Sequence, residues 1–90
     1  MAYKPKSVHE RILHRFKISL GQLKKTLEMT ESHEYCMNII HQSQAVQKAL
    51  RDTDNLILEH HLKTCAAKAI RSGQDKKAIA EIMQVIKKTK

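Results

Sequence analysis

Between Val8 and Met29 the apolar residues Ile12, Phe16, Leu20, Leu23 and Leu27 recur at steps of three and four, the spacing of one stripe along a helix. This predicts a first helix over about 7–30. Gly21 falls inside the stripe, where it costs a helix about 1 kcal/mol relative to Ala, and it is read as a point where another backbone comes close. Thr30, Glu31 and Ser32 then form a polar break with hydroxyls able to cap the start of a second helix. No Gly or Pro follows until Gly73, and Ile39, Val46, Leu50, Ile57 and Leu58 keep a helical period, so the second helix is expected over about 33–71. Ser43, Gln44, Gln47, Thr53 and Asp54 interrupt its apolar face, which leaves a wet centre and a bend both open. After a break at Ser72, Gly73, Gln74 and Asp75, the residues Ile79, Ile82, Met83 and Ile86 sit at i, i+3, i+4 and i+7 and predict a third helix over about 75–88. Met1–Lys6 and Lys87–Lys90 read as loose ends.

Composition narrows the class. A hydrophobic content of 41% with only 3% aromatic residues and no Trp favours helices, so an all-α fold is expected. Ninety residues make a single domain, 1–90, whose core is small enough that oligomerisation is expected. Seventeen Lys and Arg against nine Asp and Glu leave a net charge of +8 spread from Lys4 to Lys90, a surface that attracts nucleic acid or anionic lipid. The scarcity of aromatic side chains argues against stacking on single-stranded bases and for contact with a duplex backbone. No apolar run approaches the ~20 residues that span a bilayer, and no signal segment follows Met1, so a cytoplasmic protein without a membrane partner is expected.

Only two cysteines are present, Cys36 and Cys65, and in a reducing compartment they read as ligands or redox groups. His61 and Cys65 are four residues apart, which stacks an imidazole and a thiol on one helical face. Cys36 lies 29 positions before Cys65, roughly 43 Å along a continuous helix at 1.5 Å per residue, so one chain cannot bring both thiols to one ion. Two antiparallel copies of the second helix can, with a two-fold axis near Leu50 and Arg51, and this gives two equivalent intersubunit sites per dimer. Two thiolates and one imidazole suit Cu(I) or Zn(II) and not Mg or Ca. Three ligands are too few for a closed structural zinc site, and ligand type alone leaves a catalytic zinc and a three-coordinate Cu(I) both open. An enzyme with Cys36 or Cys65 as nucleophile and His61 as its base would need an oxyanion loop and a substrate pocket, and the sequence offers neither, so no enzyme is expected.

At these residues the chain resembles the CsoR/RcnR family of metal-sensing repressors. The resemblance runs through Arg15-Phe16-Lys17, Gly21-Gln22-Leu23, Tyr35-Cys36, Gln42, Ala45-Val46, Ala49-Leu50-Arg51 and Glu59-His60-His61-Leu62 leading to Cys65. It implies three-helix protomers that pair into an antiparallel four-helix-bundle dimer, with dimers assembling into a homotetramer. Cys36, His61 and Cys65 fall on the Cys-His-Cys pattern of the copper-sensing branch, and Tyr35 and Glu81 match residues that link that site to a hydrogen-bond network. The implied function is a repressor that holds double-stranded operator DNA in the apo form and releases it on binding Cu(I). Basic candidates for the DNA contact are Arg15, Lys17, Lys48 and Arg51.

Some features depart from the family pattern. Ile18, Ser19 and Leu20 stand where relatives usually carry Arg, Ile and Glu, and Lys25 replaces a second glycine. One of His9, His33, His41 and His60 as a fourth ligand would turn the preference toward Ni(II) or Co(II). The nickel-sensing pattern, however, wants His where Cys65 stands, and the formaldehyde-sensing branch wants Pro where Ala2 stands. A persulfide sensor would use the two cysteines without His61, and a metal carrier would use the same ligands without touching DNA.

Overall fold

The computed structural model describes residues 7–88, so the N-terminal segment read as loose lies outside the described residues, as do Thr89 and Lys90. The chain is helical and, among the described residues, without strands. Helix α1 spans Val8–Glu31 and α2 spans Cys36–His61; a π-helical turn, Leu62–Ala66, and a short α3, Ala67–Arg71, follow α2 without a break, and α4 spans Asp75–Lys88. Two compact units divide at Asp54/Asn55.

In the first unit α1 starts at Ser7, whose hydroxyl accepts the Glu10 N–H at 3.1 Å. The break after it differs from the expectation. Thr30 and Glu31 still belong to α1, and Ser32 ends α1 where it had been expected to cap α2. Its hydroxyl donates backwards to the Met29 carbonyl at 3.2 Å, and the bonds from His33 N–H to Thr30 O and from Glu34 N–H to Met29 O close a Schellman motif. His33 takes the left-handed conformation (φ 57°) that this motif requires. Helix α2 therefore starts only at Cys36, with the Tyr35 carbonyl accepting the N–H groups of Asn38 and Ile39.

The short connection folds α2 back along α1. The stripe that faces inward on α1 is Ile12, Arg15, Ser19, Gln22, Thr26 and Met29, and on α2 up to Asp54 it is Ile39, Gln42, Val46, Ala49 and Thr53. Both alternate steps of three and four, the repeat of helices packed side by side. This seam is largely polar: Gln42 Nε2 donates to the Gln22 carbonyl at 3.4 Å, and the Thr53 hydroxyl donates to the Ala49 carbonyl at 2.9 Å. The polar residues in the centre of α2 are thus part of the seam. The apolar stripe read along α1 lies mostly outside this seam, with Phe16, Leu20, Leu23 and Leu27 all exposed. Gly21 does not serve a close approach within the chain, since a Cβ built there meets nothing within 4 Å.

In the second unit the helical run ends in another Schellman motif. Gln74 N–H bonds Ala69 O and Gly73 N–H bonds Ile70 O, with Gly73 at φ 84°. Helix α4 carries Asp75 in its first turn and Lys87 and Lys88 in its last, each sign suited to its end of the helix dipole. Lys87 and Lys88, read as loose from the sequence, are helical.

Candidate metal centre and basic surface

The second unit brings an imidazole and a thiol to one place. His61 closes α2 and Cys65 lies within the π turn, and both line a cavity of about 180 Å³ together with Glu81 of α4. Small residues make this packing possible: Ala66 and Ala78 are buried, so α4 can lie close to the π turn, and Glu81 follows Ala78 by three residues on the same face. A π turn takes up an extra residue, and the burial records it, for the inward positions step from His61 to Ala66 across five residues. Such turns concentrate at functional sites. The Cys65 thiol is exposed, with the Thr64 hydroxyl 3.7 Å from its sulfur, and Gln74 and Lys77 line the same cavity.

Cys36 belongs to the first unit. It is the first residue of α2, its thiol is exposed, and Tyr35 before it is 67% exposed. Among the described residues of one chain no group of three or more His, Cys, Asp or Glu side chains is placed to hold a metal ion. His61 and Cys65 offer one imidazole and one soft thiolate, and a three-ligand set for Cu(I) or Zn(II) needs a further ligand from elsewhere. Of the remaining histidines, His9, His33, His41 and His60 are all exposed.

The basic candidates fall on the first unit. Arg15 is half-buried and lines a cleft of about 410 Å³ between α1 and α2 with Arg11, His14, Ser19, Asp52 and Thr53 among its walls. Lys17 lines a smaller cavity with Glu10, Leu13 and His14. Lys48 is exposed and pairs with Asp52 at 3.3 Å, while Arg51 is exposed beside it in sequence. Arg11 and His14, which line the same cleft, were missed from the sequence. The available signal was helical spacing, since Arg11 lies four residues before Arg15 and three before His14.

Comparison with known proteins gives a consistent result. The chain is 36% identical over 86 residues to the copper-sensing transcriptional repressor CsoR of Bacillus subtilis (strain 168), covering 96% of this chain and 85% of that one. It is 35% identical over 77 residues to the copper-sensing transcriptional repressor CsoR of Mycobacterium ulcerans (strain Agy99), across 86% of this chain and 66% of that one. The fold matches the crystal structure of the copper-sensing repressor CsoR with Cu(I) from Geobacillus thermodenitrificans NG80-2 with a TM-score of 0.85 and 38% identity, covering 99% of this chain and 93% of that one. A family model described as "Metal-sensitive transcriptional repressor" matches residues 8–88, and with that span the chain belongs to the metal-sensitive transcriptional repressor family.

Proposed function

We propose that this protein is a Cu(I)-responsive repressor whose apo form binds operator DNA and whose Cu(I) form binds it less well. The observation that carries this reading is the shared cavity of His61, Cys65 and Glu81, a two-ligand half-site with a carboxylate beside it. Cys36 of the partner subunit supplies the third ligand in an antiparallel dimer, completing a two-thiolate, one-imidazole set suited to Cu(I). The similarity to copper-sensing repressors, one of them solved with Cu(I), supports this choice over Ni(II), Co(II) or Zn(II). Glu81 fixes the imidazole of His61 when Cu(I) is bound, and Tyr35 does the equivalent beside Cys36. The exposed leucines of α1 support pairing of protomers, and two dimers make the tetramer.

Arg15, Lys17, Lys48 and Arg51 hold DNA phosphates through the first unit, and drawing Cys36 of the partner subunit onto His61 and Cys65 moves that surface relative to the duplex. Anaerobic fluorescence anisotropy with a duplex operator tests the coupling. Saturation with Cu(I) is expected to weaken DNA binding by about 5–150-fold, the usual range for allosteric coupling. Glu81→Ala should keep both affinities and reduce the coupling between them, and Arg51→Ala should weaken apo binding and flatten its salt dependence by about one counterion. Unchanged DNA affinity on saturating the wild type, or a full copper response in Cys36→Ala, would overturn the reading.

A further inference from the structure

Cys65 lines two cavities of the second unit. One is the cavity it shares with His61 and Glu81; the other is an open groove of about 650 Å³ walled by Lys63, Thr64, Lys68, Arg71 and Ser72. Three cations line this groove and no carboxylate does. Lys63 is held by Glu59 at 2.9 Å in an exposed pair one turn apart. Lys68 and Arg71 are exposed and three residues apart on α3, so they share a face.

The charge of the groove decides what can approach Cys65 from that side. With Lys63 engaged by Glu59, the charges of Lys68 and Arg71 set the field of the groove, which disfavours a bare metal cation and attracts an anion. Cu(I) is soft and in a thiol-rich solution is carried by thiolates, and a small thiol that also bears carboxylates carries it as an anionic complex. We propose that the Lys63–Lys68–Arg71 groove receives Cu(I) as a complex with a small anionic thiol, and that Lys68 and Arg71 bring that complex to Cys65. The proposal rests on the Cu(I) reading above. In the transfer a carrier sulfur–copper bond breaks as the Cys65 sulfur–copper bond forms. The Cys65 thiol proton leaves on the departing carrier sulfur, and copper stays Cu(I), so no oxidant or reductant takes part. His61 then adds from the neighbouring cavity, where Cys65 is already present.

Stopped-flow uptake by the full chain, followed anaerobically by Cu(I)–thiolate absorption, tests this with two donors: Cu(I) in excess glutathione, which is anionic, and Cu(I) in excess cysteamine, which is cationic. At low salt the wild type should take Cu(I) from glutathione faster than from cysteamine by about tenfold or more, the lower range of electrostatic steering, and high salt should shrink the difference. Lys68→Gln/Arg71→Gln should lose most of that preference, by slowing uptake from glutathione and speeding uptake from cysteamine, while keeping the equilibrium Cu(I) affinity. Uptake indifferent to donor charge, or a double variant with wild-type preference, would overturn the proposal. So would a double variant that loses duplex DNA affinity but keeps wild-type uptake, since that assigns the cations to DNA. Failure of the wild type to bind Cu(I) at equilibrium would overturn the Cu(I) reading itself, whereas tight binding with charge-blind uptake overturns the groove alone.

Discussion

Two hydroxyls are buried in the α1–α2 seam, and they are satisfied differently. Thr53, 1% exposed, donates to the carbonyl one turn back. Ser19, 3% exposed, has no partner for its Oγ, and Gln22 Oε1 is buried in the same condition. A buried polar atom without a hydrogen bond carries its desolvation cost uncompensated, so Ser19→Ala should stabilise the apo protein, by about 1 kcal/mol in a urea titration. Thr53→Ala should instead cost about 1 kcal/mol, because the methyl packing and a made hydrogen bond are both lost. In the sequence Ser19 stood out only as a departure from the family pattern. Hydropathy places a serine outside, and only the observed packing shows that the seam runs through it. That His61 and Cys65 come to one cavity was legible because their spacing needs little more than a helix. That Glu81 joins them depends on where α4 lies, which the sequence did not determine.

The helix ends were the least legible elements, for an identifiable reason. Gly73 announces a left-handed C-terminal residue and was read as a break, whereas the same role after α1 falls to His33, a residue with no such signature. Holding a residue with a Cβ there costs roughly 1–2 kcal/mol. His33→Gly should therefore raise the stability of the apo protein by about 1 kcal/mol, and thermal unfolding followed by circular dichroism would register it; an unchanged or lower melting temperature would contradict the capping role given to His33. The π turn was invisible for a different reason. Leu62–Ala66 contains no Gly or Pro, and propensity reports only that a residue suits a helix, so it cannot distinguish bonds four residues apart from bonds five apart. What marks it is the burial of Ala66 and Ala78, a property of packing.

For the whole molecule, the all-α class followed from periodicity and composition, but the choice of face did not. Apolar spacing identified Phe16, Leu20, Leu23 and Leu27 as one stripe of an amphipathic helix, and the single chain leaves that stripe exposed, with Leu20 at 67%. Periodicity reports that a face will be covered and is silent on whether the same chain covers it. Leu23→Glu/Leu27→Glu should accordingly leave an isolated chain no worse packed yet break the assembly, and sedimentation velocity should show the variant sedimenting below the wild type. An unshifted sedimentation coefficient would mean that the stripe does not join protomers. No helix among the described residues is long and apolar enough to cross a membrane.

The polar seam between α1 and α2 has a consequence for dilution. Ser19, Gln22, Thr26, Gln42 and Thr53 hold places in this seam that Val46 and its apolar neighbours would otherwise extend, so the seam removes limited hydrocarbon from water and faces covered between protomers should add to the heat-capacity change of unfolding. The midpoint of thermal unfolding should then climb with protein concentration, as mass action requires when folding and association are one event. For such a chain, how many copies a cell holds is itself a term in whether each copy stays folded.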